Sequence, residues 1–348
     1  MIRTYQARRA LFPKHVFRTS RASRPRVDNN YLVLEQDGRL GYGEASPNSF
    51  FKEDPSDVQV TLAGLSDYFH KQTLRTFGDI ARIWEEVWHL AAPSRACQCA
   101  VDIALWDLWA KLQGQTAAEI AFGRVAREIP TSATLGICPP EEWEDRIREI
   151  ADFPSVKVKL DARADLEILK AIRKRSDAVI RVDANCAWSA LSDSEIGPLS
   201  ERLAALGVEF IEQPLPPSED GRMESLLRRS CLPILADESC AGLGDIARLQ
   251  GRFSGFNIKL VKCGGITPAL AMLRKGQELG LKTMVGCMLE SSLLISAGVI
   301  VAQEADYADL DGSWLLQEDP FEGLAYVNGR IRTVWAPGLG IEPKPPKD

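Results

Sequence analysis

From about residue 129 onward, strand-like and helix-like stretches alternate along the chain, and this rhythm narrows the possible folds more than any other feature. Strands are expected at 130–136, 155–160, 179–185, 208–214, 233–239, 255–262, 282–288 and 307–311. Amphipathic helical patterns separate them, for example at 141–151, 165–175 and 268–279. Strand starts recur at roughly 25 to 30 residues, the spacing of a β/α barrel. A doubly wound sheet would alternate in the same way. Eight β segments, many with polar residues at their C-terminal ends, favour the barrel.

The first third has a different grammar. Residues 31–36 alternate as a strand does, and Gly38 supplies a turn into 40–44. Helical patterns follow at 56–74, 77–90 and 95–112, the last with Val101, Ala104, Leu105 and Leu108 on one stripe. The expected fold class is therefore α/β: a TIM-like (β/α)7β barrel with an N-terminal α+β capping domain. The expected divisions are a cap over 1–125, a catalytic barrel over 126–315, and a Gly- and Pro-rich segment over 316–348 that packs back on the cap.

Composition removes several functions. With 42 Lys and Arg against 48 Asp and Glu, the net charge of -6 offers no field for nucleic acid or an anionic membrane. The Arg-rich stretch 18–26 is the local exception. No apolar run reaches the ~18 residues needed to span a bilayer. The first residues lack the apolar core of a secretory signal, so cytoplasmic residence is expected. Eight cysteines are scattered along the chain, and Cys97 and Cys99, in an apolar helical stretch, are expected as buried free thiols. The three histidines, His15, His70 and His89, lie in roughly the first quarter, which argues against His-based chemistry in the barrel.

In a β/α barrel the residues at the C-terminal strand ends face the active site. Here those ends read Lys157-Val158-Lys159, Asp183-Ala184-Asn185, Glu212-Gln213-Pro214 and Asp237-Glu238-Ser239, with Lys259 and Lys262 on the sixth strand. Asp183, Glu212 and either Asp237 or Glu238 would crowd three negative charges around one mouth. A hard divalent cation with oxygen ligands, Mg²⁺, resolves that repulsion. Lysines stand on the strands to either side, and Lys157 and Lys159 share a face because strand residues alternate. A carboxylate substrate on the metal acquires a more acidic α-proton, and a lysine of lowered pKa can remove it. Bases on both faces allow removal from one side and return from the other, as racemisation or epimerisation requires.

These motifs, with Gly41-Tyr42-Gly43-Glu44-Ala45 and Asn257-Ile258-Lys259-Leu260-Val261-Lys262-Cys263-Gly264-Gly265, resemble the enolase superfamily over nearly the whole chain. The branch is that of muconate-lactonising enzymes, o-succinylbenzoate synthases and dipeptide epimerases. The resemblance implies Lys159 and Lys259 as acid/base catalysts and Asp183, Glu212 and Asp237 as magnesium ligands. It also implies Lys157 as an electrostatic helper, Glu238 and Asn185 as supporting residues, and Lys262 as a structural residue on the sixth strand. Asp309-Leu310-Asp311 looks like the pair that holds the substrate ammonium in dipeptide epimerases. Phe17-Arg18-Thr19 resembles their specificity loop, which makes Arg18 a candidate clamp for a side-chain carboxylate, with Arg21 or Arg24 as alternatives. Ser313-Trp314 departs from the family, where proline is commoner. The expected function is Mg-dependent epimerisation of the C-terminal residue of an L,L-dipeptide. The alternatives are o-succinylbenzoate synthase, N-acylamino-acid racemase, or a non-catalytic binding barrel. A homo-oligomer is expected from the fold alone.

Overall fold

The computed structural model describes residues 1–161 and 166–345. Its N-terminal part is an antiparallel sheet of β1 (Arg3–Leu11), β4 (Val27–Gln36) and β5 (Arg39–Ala45), in the order β1-β4-β5. A short hairpin of β2 (Phe17–Arg18) and β3 (Ser23–Arg24) lies between the first two. The helix Arg95–Gln113 crosses the sheet; Ser94 caps its start and Gly114, in the left-handed region, ends it. Gly41 and Gly43 make this crossing possible, since a Cβ at either would overlap the helix backbone at Ala104 and Ala100.

This helix corrects the expectation of one apolar stripe. Every residue from Ala96 to Ala110 is buried, because the sheet covers one side and the barrel covers the other. On the barrel side, Trp106 Nε1 donates to Thr267 Oγ1 at 2.8 Å, and Asp102 Oδ2 accepts from Thr267 N at 3.0 Å. The long pattern expected at 56–74 divides into the helices Pro55–Gly64 and Ser66–Phe69.

Eight parallel strands follow, each paired with its sequence neighbours. In order they are Ser132–Leu135, Ser155–Lys159, Val179–Asp183, Val208–Glu212, Ile234–Ala236, Gly255–Lys259, Lys282–Gly286 and Tyr307–Asp309. All eight expected strands exist, each shorter than expected by between one residue (Ser155–Lys159) and four (Ile234–Ala236). First and last strands meet where Leu310 N donates to Thr131 Oγ1 and Thr134 N to Asp311 Oδ2. Inside the barrel, Phe210, Leu235 and Met284 form a small separate core with Tyr307 against it.

The helix expected at 165–175 is Glu167–Arg173; residue 165 lies outside the described residues. Lys262 is not on the sixth strand. The chain turns after Lys259 into the one-turn helix Leu260–Cys263, ended by Gly264 and Gly265 at φ 101° and 122°. The C-terminal segment touches the N-terminal part: Leu339 N donates to Asp107 Oδ1, and Phe321 packs on Tyr31 and Tyr42.

Candidate active site

Strand register builds the site. Lys159 pairs with Asp183 across the second and third strands, and Asp183 pairs with Glu212 across the third and fourth. Three adjacent strand ends thus deliver a lysine and two acids in one row. Glu212 aligns with Leu235 on the fifth strand, so Asp237, two residues on, shares that face. On the other side Lys259 aligns with Gly286, and Gly286 with Asp309. Lys159 and Lys259 sit on the second and sixth of eight closed strands, and therefore on opposite sides of the mouth.

Asp183, Glu212 and Asp237 are fully or almost fully buried, and one oxygen from each lies within 4.8 Å of the others. An all-oxygen set this tight fits a magnesium ion. The lysines neutralise it in the structure. Lys157 Nζ is 3.1 Å from Asp183, 2.7 Å from Glu212 and 2.8 Å from Asp309. Lys159 Nζ is 2.6 Å from Asp183 Oδ2, and Lys259 Nζ is 2.9 Å from Asp237 Oδ2. Lys262 donates to Asp237 Oδ1 at 2.6 Å and to two backbone carbonyls, those of Asp237 and Asn257.

Charge and burial compete at each group. Burial disfavours the Lys157 ammonium, but Asp309, Glu212 and Asp183 together hold it well above the ordinary lysine value. Burial likewise opposes the Asp183 carboxylate, and Lys159 and Lys157 outweigh it and keep the group below the usual range. Asp237 is held low in the same way by Lys259 and Lys262. Glu212 is pushed up to about 7, first by burial and then by the charge of Asp183. The lowering expected from a cation and a second lysine is only partly set up by the side chains alone: burial pulls Lys259 down, and Lys157 also acts to lower it. Asp237 at hydrogen-bond distance overrides this and raises the group.

Sequence reasoning missed three supports. Gln213, at the positive φ of 37°, accepts from Asp237 N and Ser239 N and donates to Ser239 Oγ, which fixes the fifth strand end. Asn257 donates to Glu212 Oε1 at 2.8 Å, in space that a side chain at Gly286 would fill. Glu44 bonds the barrel helix Ser292–Ala302 at its start. All three stand in the sequence motifs, yet only their contacts show these duties.

A cavity of about 280 Å³ opens over the row, reaching Lys159, Lys259, Asp309 and Asp311. Asp309 Oδ1 is buried and has no hydrogen-bond partner among the described residues. Asp311 accepts from Thr134 N at 2.5 Å, and burial followed by the Asp309 charge pushes its pKa up to about 7. The β2/β3 hairpin covers the mouth. Ile137 N donates to the Arg18 carbonyl, Arg21 pairs with Glu238, and Asn185 and Glu238 line the cavity beneath.

Arg18 is placed differently from the expectation. Phe17 lines the cavity, so its strand neighbour Arg18 faces away and is exposed. Arg21 and Arg24 do line it. Arg21 is committed to Glu238, whereas among the described residues Arg24 has only Asn48 Oδ1, at 3.1 Å, and no carboxylate. Burial, and then the Arg21 charge, lower its pKa.

Residues 141–347 match the family model described as enolase C-terminal domain-like. An L-Ala-D/L-amino acid epimerase of Maribacter sp. is 37% identical over 94% of this chain and 94% of its own length. An L-Ala-D/L-Glu epimerase of Bacteroides thetaiotaomicron is 36% identical over 94% of this chain and 84% of its own. The solved dipeptide epimerase of Methylococcus capsulatus, complexed with Mg and L-Arg-D-Lys, superposes with a TM-score of 0.87 at 32% identity, covering 98% of this chain and 99% of that one. The chain belongs to the enolase superfamily.

Proposed function

We propose that this protein is a magnesium-dependent dipeptide epimerase that inverts the C-terminal residue of an L,L-dipeptide, with an acidic side chain favoured there. One observation carries the reading: two lysines face each other across a mouth that also holds a carboxylate triad and the buried pair Asp309 and Asp311. Asp183, Glu212 and Asp237 would hold the ion, which when bound supplies positive charge beside the substrate carboxylate and so acidifies the neighbouring C–H.

The protein's own groups do the rest. Asp309 and Asp311 accept the substrate ammonium, and Asp309 Oδ1 has a free lone pair for it. Arg24 receives the side-chain carboxylate of the C-terminal residue. One lysine takes the α-proton, leaving an enediolate, and the other returns a proton to the opposite face. Asp237 cannot pair fully with Lys259 and with a cation at once. With a cation held by the triad, Asp237 would hold Lys259 less strongly, and Lys259 would then exchange a proton nearer neutral pH.

Incubation of L-Ala-L-Glu in D₂O with Mg²⁺ should exchange the α-proton of the glutamate and produce L-Ala-D-Glu. No exchange on a panel of dipeptides would overturn the reading. Arg24→Met should raise KM for L-Ala-L-Glu roughly tenfold or more, and Arg18→Met should leave it near the wild-type value. Cytoplasmic residence belongs to the same proposal, supported by cysteines that are all free thiols.

A further inference from the structure

A second cavity, of about 20 Å³, lies behind the first, and Phe17, Thr134 and Leu315 line both. Its remaining wall includes Lys14, His15, Arg146, Glu149 and Trp314. Arg146 comes from the helix Trp143–Glu149, which follows the first barrel strand. Its Nε and Nη1 are enclosed and have no hydrogen-bond partner among the described residues. Buried donors in native proteins nearly always have partners, and a charged donor without one is costly.

Charge in this cavity is unbalanced. The acid acting on Arg146 is Glu149, and both its oxygens already lie 2.9 Å from His15 Nε2. Lys14 Nζ stands 4.2 Å over the ring of Trp314 and has no ion pair among the described residues. Burial lowers the pKa of Lys14 and of Arg146 alike. One water fits such a volume and could satisfy the Arg146 hydrogens, but it would not balance the charge. An anion does both.

Location says which anion. Thr134, shared by the two cavities, donates its backbone N–H to Asp311, half of the proposed ammonium clamp. The cavity therefore backs onto the place where the dipeptide's first residue would be anchored. Trp314, where the sequence departs from its family, packs edge-on against Phe153 at 5.0 Å and forms the wall beneath Lys14. We propose that Arg146 and Lys14 form a subsite for the side-chain carboxylate of an acidic residue at the N-terminal position of the dipeptide. The proposal rests on the dipeptide reading above. Phe17 and Leu315 line both cavities, and the subsite requires them to turn aside so that the rear cavity, which alone has room for one water, joins the first.

The test compares L-Glu-L-Glu with L-Gln-L-Glu, which differ in the charge of the first side chain alone. The readout is the ratio of their kcat/KM values for α-proton exchange in D₂O, so any general loss of activity cancels. Wild type should favour L-Glu-L-Glu roughly tenfold, Arg146→Met should bring the ratio to about one, and Lys14→Met should lower it part of the way. Equal values in wild type, or a preference that survives Arg146→Met, would overturn the subsite while leaving the dipeptide reading intact. Thermal stabilisation by acetate or chloride that Arg146→Met lacks, with a wild-type ratio of one, would assign the cavity to a free anion and overturn it too. Exchange on no dipeptide would remove both readings together.

Discussion

Two pairs of buried carboxylates, one in the barrel mouth and one in the joint beside it, are treated in opposite ways. In the barrel mouth, Asp183 and Asp237 are held by lysine ammonium groups and lie below the usual carboxylate range. In the joint between sheet and barrel, Glu44 and Asp102 are held mainly by backbone N–H groups, hydroxyls and an amide, and burial raises both, Asp102 to about 7. Glu44 accepts from Ser291 N at 3.0 Å, Ser291 Oγ at 2.5 Å, Leu294 N at 3.3 Å and Asn29 Nδ2 at 2.8 Å. Backbone donors at a helix start cannot move without unwinding it. A lysine on a four-carbon stem can swing to another partner. The joint is fixed; the mouth is exchangeable.

That division can be broken by experiment, the largest effect first. Lys159→Ala and Lys259→Ala should each lower epimerisation about 10³-fold, while each variant still washes the α-proton out of one epimer and not the other. Proton NMR on both epimers checks this, and a variant that exchanges both equally would remove the two-face assignment. Glu44→Ala leaves several buried donors without an acceptor and should cost about 3 kcal/mol in urea unfolding. Activity per folded molecule should change little. If it falls in step with stability, the joint is part of the chemistry and the comparison fails.

Asp311→Asn should raise dipeptide KM about tenfold or more, with a smaller change in kcat. Only the ionised acid attracts an ammonium fully, and burial keeps the group protonated below about 7. KM should therefore fall as pH rises through that value, and Asp311→Asn should lack this step. The smallest effect concerns Glu290, buried beside Glu44 and pushed up by burial and that charge to about 8. Being mostly protonated at neutral pH, it should tolerate Glu290→Gln within about 1 kcal/mol. The sign follows from proton uptake: between its unfolded value of 4.5 and about 8 the folded chain holds the extra proton, so wild-type stability falls as pH rises across that window. Melting curves of Glu290→Gln should fall less steeply over the same range.

Much of the barrel was legible because period and spacing are local properties of the chain. Eight strands and the polar residues at their ends could be read in order, and the row Lys159, Asp183, Glu212 follows from parallel register. Strand ends were read too long because residues after Asp183 and Glu212 stay apolar or polar in the same way while the backbone has already turned, with Asn185 and Gln213 at positive φ. That Arg18 is exposed while Arg24 lines the cavity was not legible. It depends on how the hairpin docks, through the Arg18 carbonyl and Ile137 N, and no pattern within 18–26 encodes that contact. Lys262 kept its structural duty but lies on a helical turn that two glycines close.

The glycine crossing at Gly41 and Gly43 has a consequence for engineering. It joins sheet to helix at backbone distance, and the same helix is bonded to the barrel through Thr267. Sheet, helix and barrel therefore behave as one chassis, and a graft that divides them inherits a mismatched seam. The β2/β3 hairpin carries Arg24 and Phe17 yet is attached through contacts at its turn, the Arg18 carbonyl and the Arg24 bond to Asn48. It is the natural cassette for testing the proposed role of Arg24, because an exchange between residues 17 and 24 leaves Gly41, Gly43 and the helix they meet untouched.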